Sequence, residues 1–68
     1  MDKVYKVIDV VGCSDKGYED AIQNAVKEAG KTLKGLAWFE VKEMRGGFKD
    51  GKVSEYQAIL KIGFRLID

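Results

Sequence analysis

The 68-residue sequence contains no proline and no histidine, and it has one cysteine and one tryptophan. A single cysteine excludes an internal disulfide bond, and without histidine the chain lacks the usual ligands of a zinc site. No apolar run approaches the roughly 18 residues that a membrane-spanning helix needs. A chain this short rarely gains more than about 3–5 kcal/mol from one hydrophobic core. We therefore expect a single domain over residues 1–68, stabilised by contacts between subunits.

An excess of charge of one sign is also missing. The net charge is +1, although 34% of the residues are charged and 46% are hydrophobic. This composition is typical of a folded domain, and the small net charge argues against non-specific binding of nucleic acid, which depends on neutralising phosphates. The first residues lack the basic, apolar and cleavage regions of a signal peptide. The sequence therefore predicts a cytoplasmic protein with neither nucleic-acid nor membrane partners.

The hydrophobic pattern predicts strands and one helix in the order β-α-β-β. Val and Ile dominate residues 3–11, where apolar side chains occupy both faces of an extended segment and predict a strand that is covered on both sides. An amphipathic helix follows, which starts after Ser14 or after Gly17 and ends at Gly35. Its apolar residues recur at spacings of three and four: Tyr18, Ile22, Ala25, Val26, Ala29, Leu33 and Leu36.

Two further strands are predicted at residues 37–45 and 52–67. The Asp50-Gly51 pair favours a tight hairpin turn, and Gly46-Gly47 leaves room for a bulge. The fold is therefore α+β, with the apolar face of the hairpin against the helix. A two-residue turn gives the cross-strand pairs Phe39–Ile62, Val41–Leu60, Glu40–Lys61, Trp38–Gly63 and Met44–Gln57.

Trp38 is predicted to lie on the face of the sheet that the helix does not cover. A tryptophan buries about 150–250 Å², so its exposure forgoes up to about 4–6 kcal/mol. Gly63 opposite it is expected to leave one side of the indole uncrowded. A neighbouring subunit, a flat ligand or both should therefore cover this ring.

Gln57 shares that uncovered face and could form hydrogen bonds with the edge of a flat ligand. It lies six residues along its strand from Gly63, the predicted partner of Trp38. At 3.3 Å per residue that separation is roughly 20 Å. Trp38 and Gln57 can therefore hold one small ring only if they come from different subunits.

Other classes of function find less support. Catalysis lacks a histidine base, and Cys13 is expected to be a small buried hydrophobic residue rather than a nucleophile. Glu40, Glu43 and Glu55 could bind a cation, but a solvated charged face is the better interpretation, so no metal site is predicted. Single-stranded RNA binding on the sheet is the main alternative, although the face lacks a second aromatic platform and a basic excess. A purely structural shell that binds no ligand is the third possible function, after ligand binding and RNA binding.

Three blocks of the sequence resemble the dodecins, small flavin-binding proteins of bacteria and archaea. They are GCSDKGYEDAIQNAV, KTLKGLAWFEVKEMRG and DGKVSEYQAILKIGFRLI, and together they cover nearly the whole chain. The resemblance implies a curved three-stranded antiparallel sheet that partly wraps the helix, in a hollow homododecamer. The chain departs from the family pattern at Cys13, where threonine is usual, and at Gly47-Phe48.

The resemblance also implies a cofactor, flavin mononucleotide (FMN) or riboflavin. The flavins would stack in pairs between Trp38 residues of two subunits, with Ala37 beside them and Gln57 at the pyrimidine edge. Arg45 and Arg65 match arginines of the family motifs; Arg45 is expected to make a polar or phosphate contact, and Arg65 to contact the phosphate.

Coenzyme A is a second ligand that the resemblance implies, at another junction between subunits. The candidate residues are Lys3, Tyr5, Lys31, Thr32 and Lys34. The implied function is non-catalytic: storing, buffering and sequestering flavin.

Overall fold

The computed structural model describes residues 2–66, which follow the predicted β-α-β-β order. Strand β1 spans Tyr5–Ser14, helix α1 spans Tyr18–Thr32, strand β2 spans Leu36–Lys49 and strand β3 spans Lys52–Arg65. The strands form one antiparallel sheet in the order β1-β3-β2. Helix α1 packs on one face of this sheet, against β1 and β3. The α+β fold is therefore confirmed.

The strands are displaced from the predicted boundaries. Strand β1 starts two residues later and runs three residues further than predicted, and β2 continues through the glycine pair to its turn. The last strand ends at Arg65, and residue 67 lies outside the described residues.

The helix begins at the later of its two predicted starts. Gly17 occupies the N-cap position, and Ser14 lies before it as the last residue of β1. The Ser14 hydroxyl accepts hydrogen bonds from the backbone N–H groups of Lys16 (2.8 Å) and Gly17 (3.4 Å), and it donates one to Oδ2 of Asp20 (2.7 Å). These bonds satisfy a buried serine and fix the turn that leads into the helix.

The predicted stop of the helix at Gly35 is wrong. The helix ends at Thr32, and its C-cap is Leu33, whose N–H donates to the carbonyl oxygen of Ala29 at 3.0 Å. Gly35 has a φ of 78°, in the left-handed region that glycine adopts at little cost. Its carbonyl oxygen accepts a hydrogen bond from the Arg65 N–H at 2.9 Å, so this glycine shapes the entry into β2.

The hydrophobic core is small. Its buried members are Ala21, Ala25, Ala29, Ala58, Leu60 and Ile62. Phe39 was expected to join them opposite Ile62, but it is 50% exposed. The reason is that β2 is an edge strand, and the helix packs over the other two strands. Ten large hydrophobic side chains within residues 2–66 are therefore left exposed and available for other contacts.

Gly12 allows the helix to approach β1 closely. A Cβ atom at this position would overlap the carbonyl oxygen of Ala21 and come within 2.8 Å of the Ala25 Cβ. Backbone on one side and a packed helix on the other leave little room to relax. The alanines of the helix and this glycine therefore set the distance between helix and sheet.

We expect Gly12→Ala to lower the free energy of unfolding by about 1.5 kcal/mol, as overpacking of a filled core does. Urea denaturation followed by circular dichroism measures this change. Gly47→Ala is the matched control, because within residues 2–66 no atom lies within 4 Å of a Cβ built there. Equal stability of the two variants would show that the helix can move away at no cost.

The register of the hairpin confirms four predicted pairs, including Trp38–Gly63, and corrects the fifth. Met44 faces Ala58, and Gln57 faces Arg45. The cause is an extra residue on β2 between Val41 and Glu43, which shifts the pairing by one until a second irregularity after Gly47 reverses it. The second shift lies at the predicted bulge, whereas the first was not predicted.

Candidate functional site

The face of the sheet opposite the helix, called the outer face below, carries Trp38. The indole does not point straight out into solvent. A Cβ atom at Gly63 would overlap Cε2 and Cζ2 of the indole and lie 2.7 Å from Cδ2, so the ring lies over this glycine. The expectation that Gly63 leaves that side uncrowded is therefore wrong: the glycine is the surface on which the indole rests. Trp38 is still 42% exposed.

Tyr5 is a second aromatic residue beside Trp38. The two ring centroids are 4.9 Å apart and the planes are tilted by 57°. Tyr5 pairs across β1 and β3 with Arg65, so all three residues occupy the same end of the outer face. We call this the Trp38 end, formed by Tyr5, Trp38, Gly63 and Arg65. The expectation that this face has no second aromatic residue is therefore wrong, because Tyr5 lies beside Trp38.

The other end of the outer face is built around Gln57. The Arg45 Nε donates a hydrogen bond to the Gln57 Oε1 at 2.7 Å, and the Gln57 Nε2 donates one to the Glu55 Oε1 at 2.9 Å. Cys13 pairs with Gln57 from the β1 side. We call this the Gln57 end, formed by Cys13, Arg45, Glu55 and Gln57.

Cys13 is exposed, and the prediction of a buried cysteine is wrong. The residue lies on the outer face of edge strand β1, where the helix cannot cover it. Its neighbour Gly12 is the residue that faces the helix.

The two ends are far apart within one chain. Trp38 pairs with Gly63, six residues along β3 from Gln57, which corresponds to roughly 20 Å. Asp9 and Lys42 lie between them and form an exposed ion pair at 3.3 Å. The structure therefore brings Arg45 to Gln57 and Arg65 to the tryptophan, but it does not bring Trp38 to Gln57.

Ala37 and Trp38 line a small apolar pocket at the β2 edge. Its volume is about 190 Å³, and Val26, Phe39 and Ile62 also line it. Sites for drug-sized ligands usually measure about 300–1,000 Å³. One chain alone therefore does not enclose a tricyclic ring at this place.

A protein-family model described as Dodecin matches residues 4–67. The chain belongs to the dodecin family. A dodecin from Thermus thermophilus is 54% identical over 66 residues, which cover 97% of this chain and 96% of that protein. The solved structure of the dodecin from Streptomyces davaonensis is 43% identical, covers both chains completely and superposes with a TM-score of 0.97.

A more distant dodecin is described as a calcium-chelating antigen of Mycobacterium tuberculosis with a calcium-binding site. It is 31% identical, with a TM-score of 0.83 over 94% of this chain and 91% of that one. In the present chain, by contrast, residues 2–66 contain no group of three or more Asp, Glu, Cys or His side chains that could hold a metal ion. Glu40, Glu43 and Glu55, the possible cation ligands in the sequence, therefore do not form a metal-binding cluster. Glu55 instead accepts a hydrogen bond from Gln57.

The coenzyme A candidates of this dodecin do not form one group. Lys31 lies at the end of the helix and forms an exposed ion pair with Glu28 at 2.9 Å. The hydrogen bond from Lys31, together with its charge, lowers the pKa of the Glu28 carboxyl. Thr32 lines an open apolar groove between β1 and α1. Tyr5, in contrast, packs against Trp38 on the opposite face of the sheet.

Lys3 and Lys34 lie outside the regular elements, before β1 and between α1 and β2. No helix within residues 2–66 is both long enough and apolar enough to cross a membrane.

Proposed function

We propose that this dodecin is a non-catalytic flavin-binding protein in which isoalloxazine rings stack on Trp38 at contacts between subunits. The observation that carries the proposal is the placement of the indole. One side lies over Gly63, and the ring is nevertheless 42% exposed on the outer face. Because the sheet occupies one side, each chain offers one indole face. A flavin pair that is enclosed on both sides therefore requires two chains.

The remaining site residues have separate roles in this proposal. Gln57 forms hydrogen bonds with the pyrimidine edge of the flavin, and it reaches the ring from another subunit because of the distance to Trp38. Ala37 borders the ring beside Trp38. Arg65 contacts the phosphate, which favours FMN over riboflavin by charge, and Arg45 makes a polar contact at the Gln57 end.

The proposed assembly is a homododecamer. Its support is the imbalance between a core with two fully buried large side chains, Leu60 and Ile62, and the large apolar surface left exposed. Exposed large hydrophobic residues lie on every strand: Tyr5, Val7, Val11, Trp38, Phe39, Met44, Phe48 and Val53. At roughly 25 cal/mol per Å², covering this surface adds to the stability that the small monomer core provides.

Stacking alone does not account for tight binding. An aromatic contact with a nucleobase contributes about 1–3 kcal/mol, whereas nanomolar affinity needs about 12 kcal/mol. Pairing of two flavins, the hydrogen bonds of Gln57 and the phosphate contacts supply the remainder. Electron transfer from the indole would quench the excited flavin, which suits the storage, buffering and sequestration of flavin in the cytoplasm.

Coenzyme A is proposed as a second ligand, at the C-terminal end of the helix. Thr32 lines the groove there, and Lys3, Lys31 and Lys34 are the basic candidates. Tyr5 belongs instead to the proposed flavin site, because it packs against Trp38.

A fluorescence titration tests the function and the assembly together. FMN titrated with the purified protein should lose nearly all of its emission at saturation, and light scattering of the same sample should give about twelve times the 7.6 kDa of one chain. Full FMN fluorescence at saturating protein would refute flavin binding. A mass of one chain would refute the shared site.

Single-stranded RNA binding is the second candidate, favoured by the Tyr5–Trp38 pair, which could stack neighbouring bases. It requires a retained oligonucleotide whose binding weakens steeply with salt. If the protein forms a dodecamer but binds neither flavin nor RNA, the remaining interpretation is a structural shell without ligand.

A further inference from the structure

The amide of Gln57 is held in one orientation by two partners with opposite demands. The Nε of Arg45 can only donate, so it requires the carbonyl oxygen of the amide, 2.7 Å away. The carboxylate of Glu55 can only accept, so it requires the amide nitrogen, 2.9 Å away. Rotating the amide by half a turn would break both hydrogen bonds and place like groups against each other.

The backbone provides this arrangement. The extra residue on β2 before Glu43 makes Arg45, rather than Met44, the cross-strand neighbour of Gln57. Glu55 lies two residues before Gln57 on β3, and alternation along a strand places both side chains on the outer face. Bulges commonly redirect a side chain toward a functional site. Here the bulge completes a row of donor, amide and acceptor.

Gln57 keeps unused hydrogen-bonding capacity in this row. An amide has two acceptor positions on its oxygen and two N–H donors, and Arg45 and Glu55 use one of each. One acceptor and one donor remain, side by side and in fixed positions. A ligand edge that complements them has an N–H group next to a carbonyl oxygen, as an imide does.

We propose that Glu55 is a positioning residue that fixes the Gln57 amide and so makes the site selective for flat rings with an N–H group next to a carbonyl. This inference rests on the proposed flavin function, since the pyrimidine edge of a flavin is an imide. A fixed amide penalises a ring that is methylated at this nitrogen, because Oε1 cannot turn away from the methyl group. An amide released from Glu55 can turn away and should tolerate the methyl group.

The test compares lumiflavin with 3-methyllumiflavin, two uncharged rings that remove the phosphate contacts from the comparison. Quenching titrations give both dissociation constants for the wild type, E55A, E55D, E55Q and E43A, with light scattering on each sample. Glu43 provides the matched control because it is an exposed carboxylate on β2 that faces Ile59.

The wild type and E43A should prefer lumiflavin by about tenfold, the size of one hydrogen bond to a fixed partner. E55A and E55D should lose most of this preference, to about threefold or less, chiefly because the methylated ring is no longer penalised. E55Q should retain the preference, because its side-chain carbonyl still accepts from Nε2 of Gln57.

The outcomes separate the two proposals. A wild type that quenches neither ring overturns the flavin function itself. A wild type that prefers lumiflavin while E55A and E55D, still assembled, keep the same preference overturns the positioning role alone. Equal weakening of both rings in E55A and E55D also overturns it, because Glu55 would then act on binding in general.

Discussion

Trp38→Ala is expected to weaken FMN binding by about 100-fold, because an aromatic face contributes about 1–3 kcal/mol and each flavin of a pair loses the indole on which it stacks. In a symmetric assembly one substitution removes both indoles that enclose a flavin pair. The measurement is the FMN quenching titration, with the quantum yield of any residual complex. The FMN affinity of Trp38→Phe should lie between those of Trp38→Ala and the wild type, because phenylalanine keeps a smaller aromatic face.

Phe48→Ala is the matched control for this substitution. Phe48 is an aromatic residue on the same strand, at the hairpin tip, and it is 81% exposed. In samples that light scattering shows to be assembled, its removal should leave the FMN affinity within about twofold, because Phe48 has no role in the proposed flavin site. If Trp38→Ala, still assembled, binds FMN as tightly as Phe48→Ala does, the indole is an interface residue and the stacking proposal is wrong.

The position of Trp38 could be predicted because alternation along a strand is a strong constraint. Phe39 and Val41 are apolar, and Glu40 and Lys42 are charged, so only one face of β2 suits the helix. The turn at Asp50-Gly51 then fixed the register near the tryptophan, and Trp38 does pair with Gly63. Apolar spacings of three and four predicted the helix, and the succession of these patterns predicted the order of elements.

The Gln57 end could not be predicted in the same way. The extra residue in β2 is Lys42, in a stretch without glycine, so no residue type signals the bulge. Counting residues back from the turn therefore placed Met44 opposite Gln57, and the contact between Gln57 and Arg45 was not predicted. A bulge that is fixed by tertiary packing leaves little local trace in a sequence.

The partners of β1 were the other missing information. Alternation places Tyr5, Val7 and Val11 on one face, but the sequence does not say which edge of the hairpin β1 joins. The observed order β1-β3-β2 makes β3 central, and this order brings Tyr5 to Trp38 and Cys13 to Gln57. Both residues were assigned other surroundings because long-range pairing depends on the whole sheet.

Gly63→Ala is expected to reduce FMN affinity by at least about 30-fold without removing any atom of the proposed site, since a tilted indole forfeits most of the stacking. The new Cβ would overlap the indole, which must then leave its place over the glycine. A flexible side chain can move away without unfolding the sheet, so assembly should persist. The chain has one tryptophan, and its emission spectrum therefore reports the displacement directly.

A double-mutant cycle decides whether Gly63 acts through Trp38. If it does, the variant with both Gly63→Ala and Trp38→Ala binds FMN as weakly as Trp38→Ala alone, since no stacking is left to lose. Gly47→Ala controls for the loss of a strand glycine, because a Cβ there has open space within residues 2–66. Additive losses in the cycle, or an unchanged tryptophan emission in Gly63→Ala, would mean that the glycine is not the support of the indole.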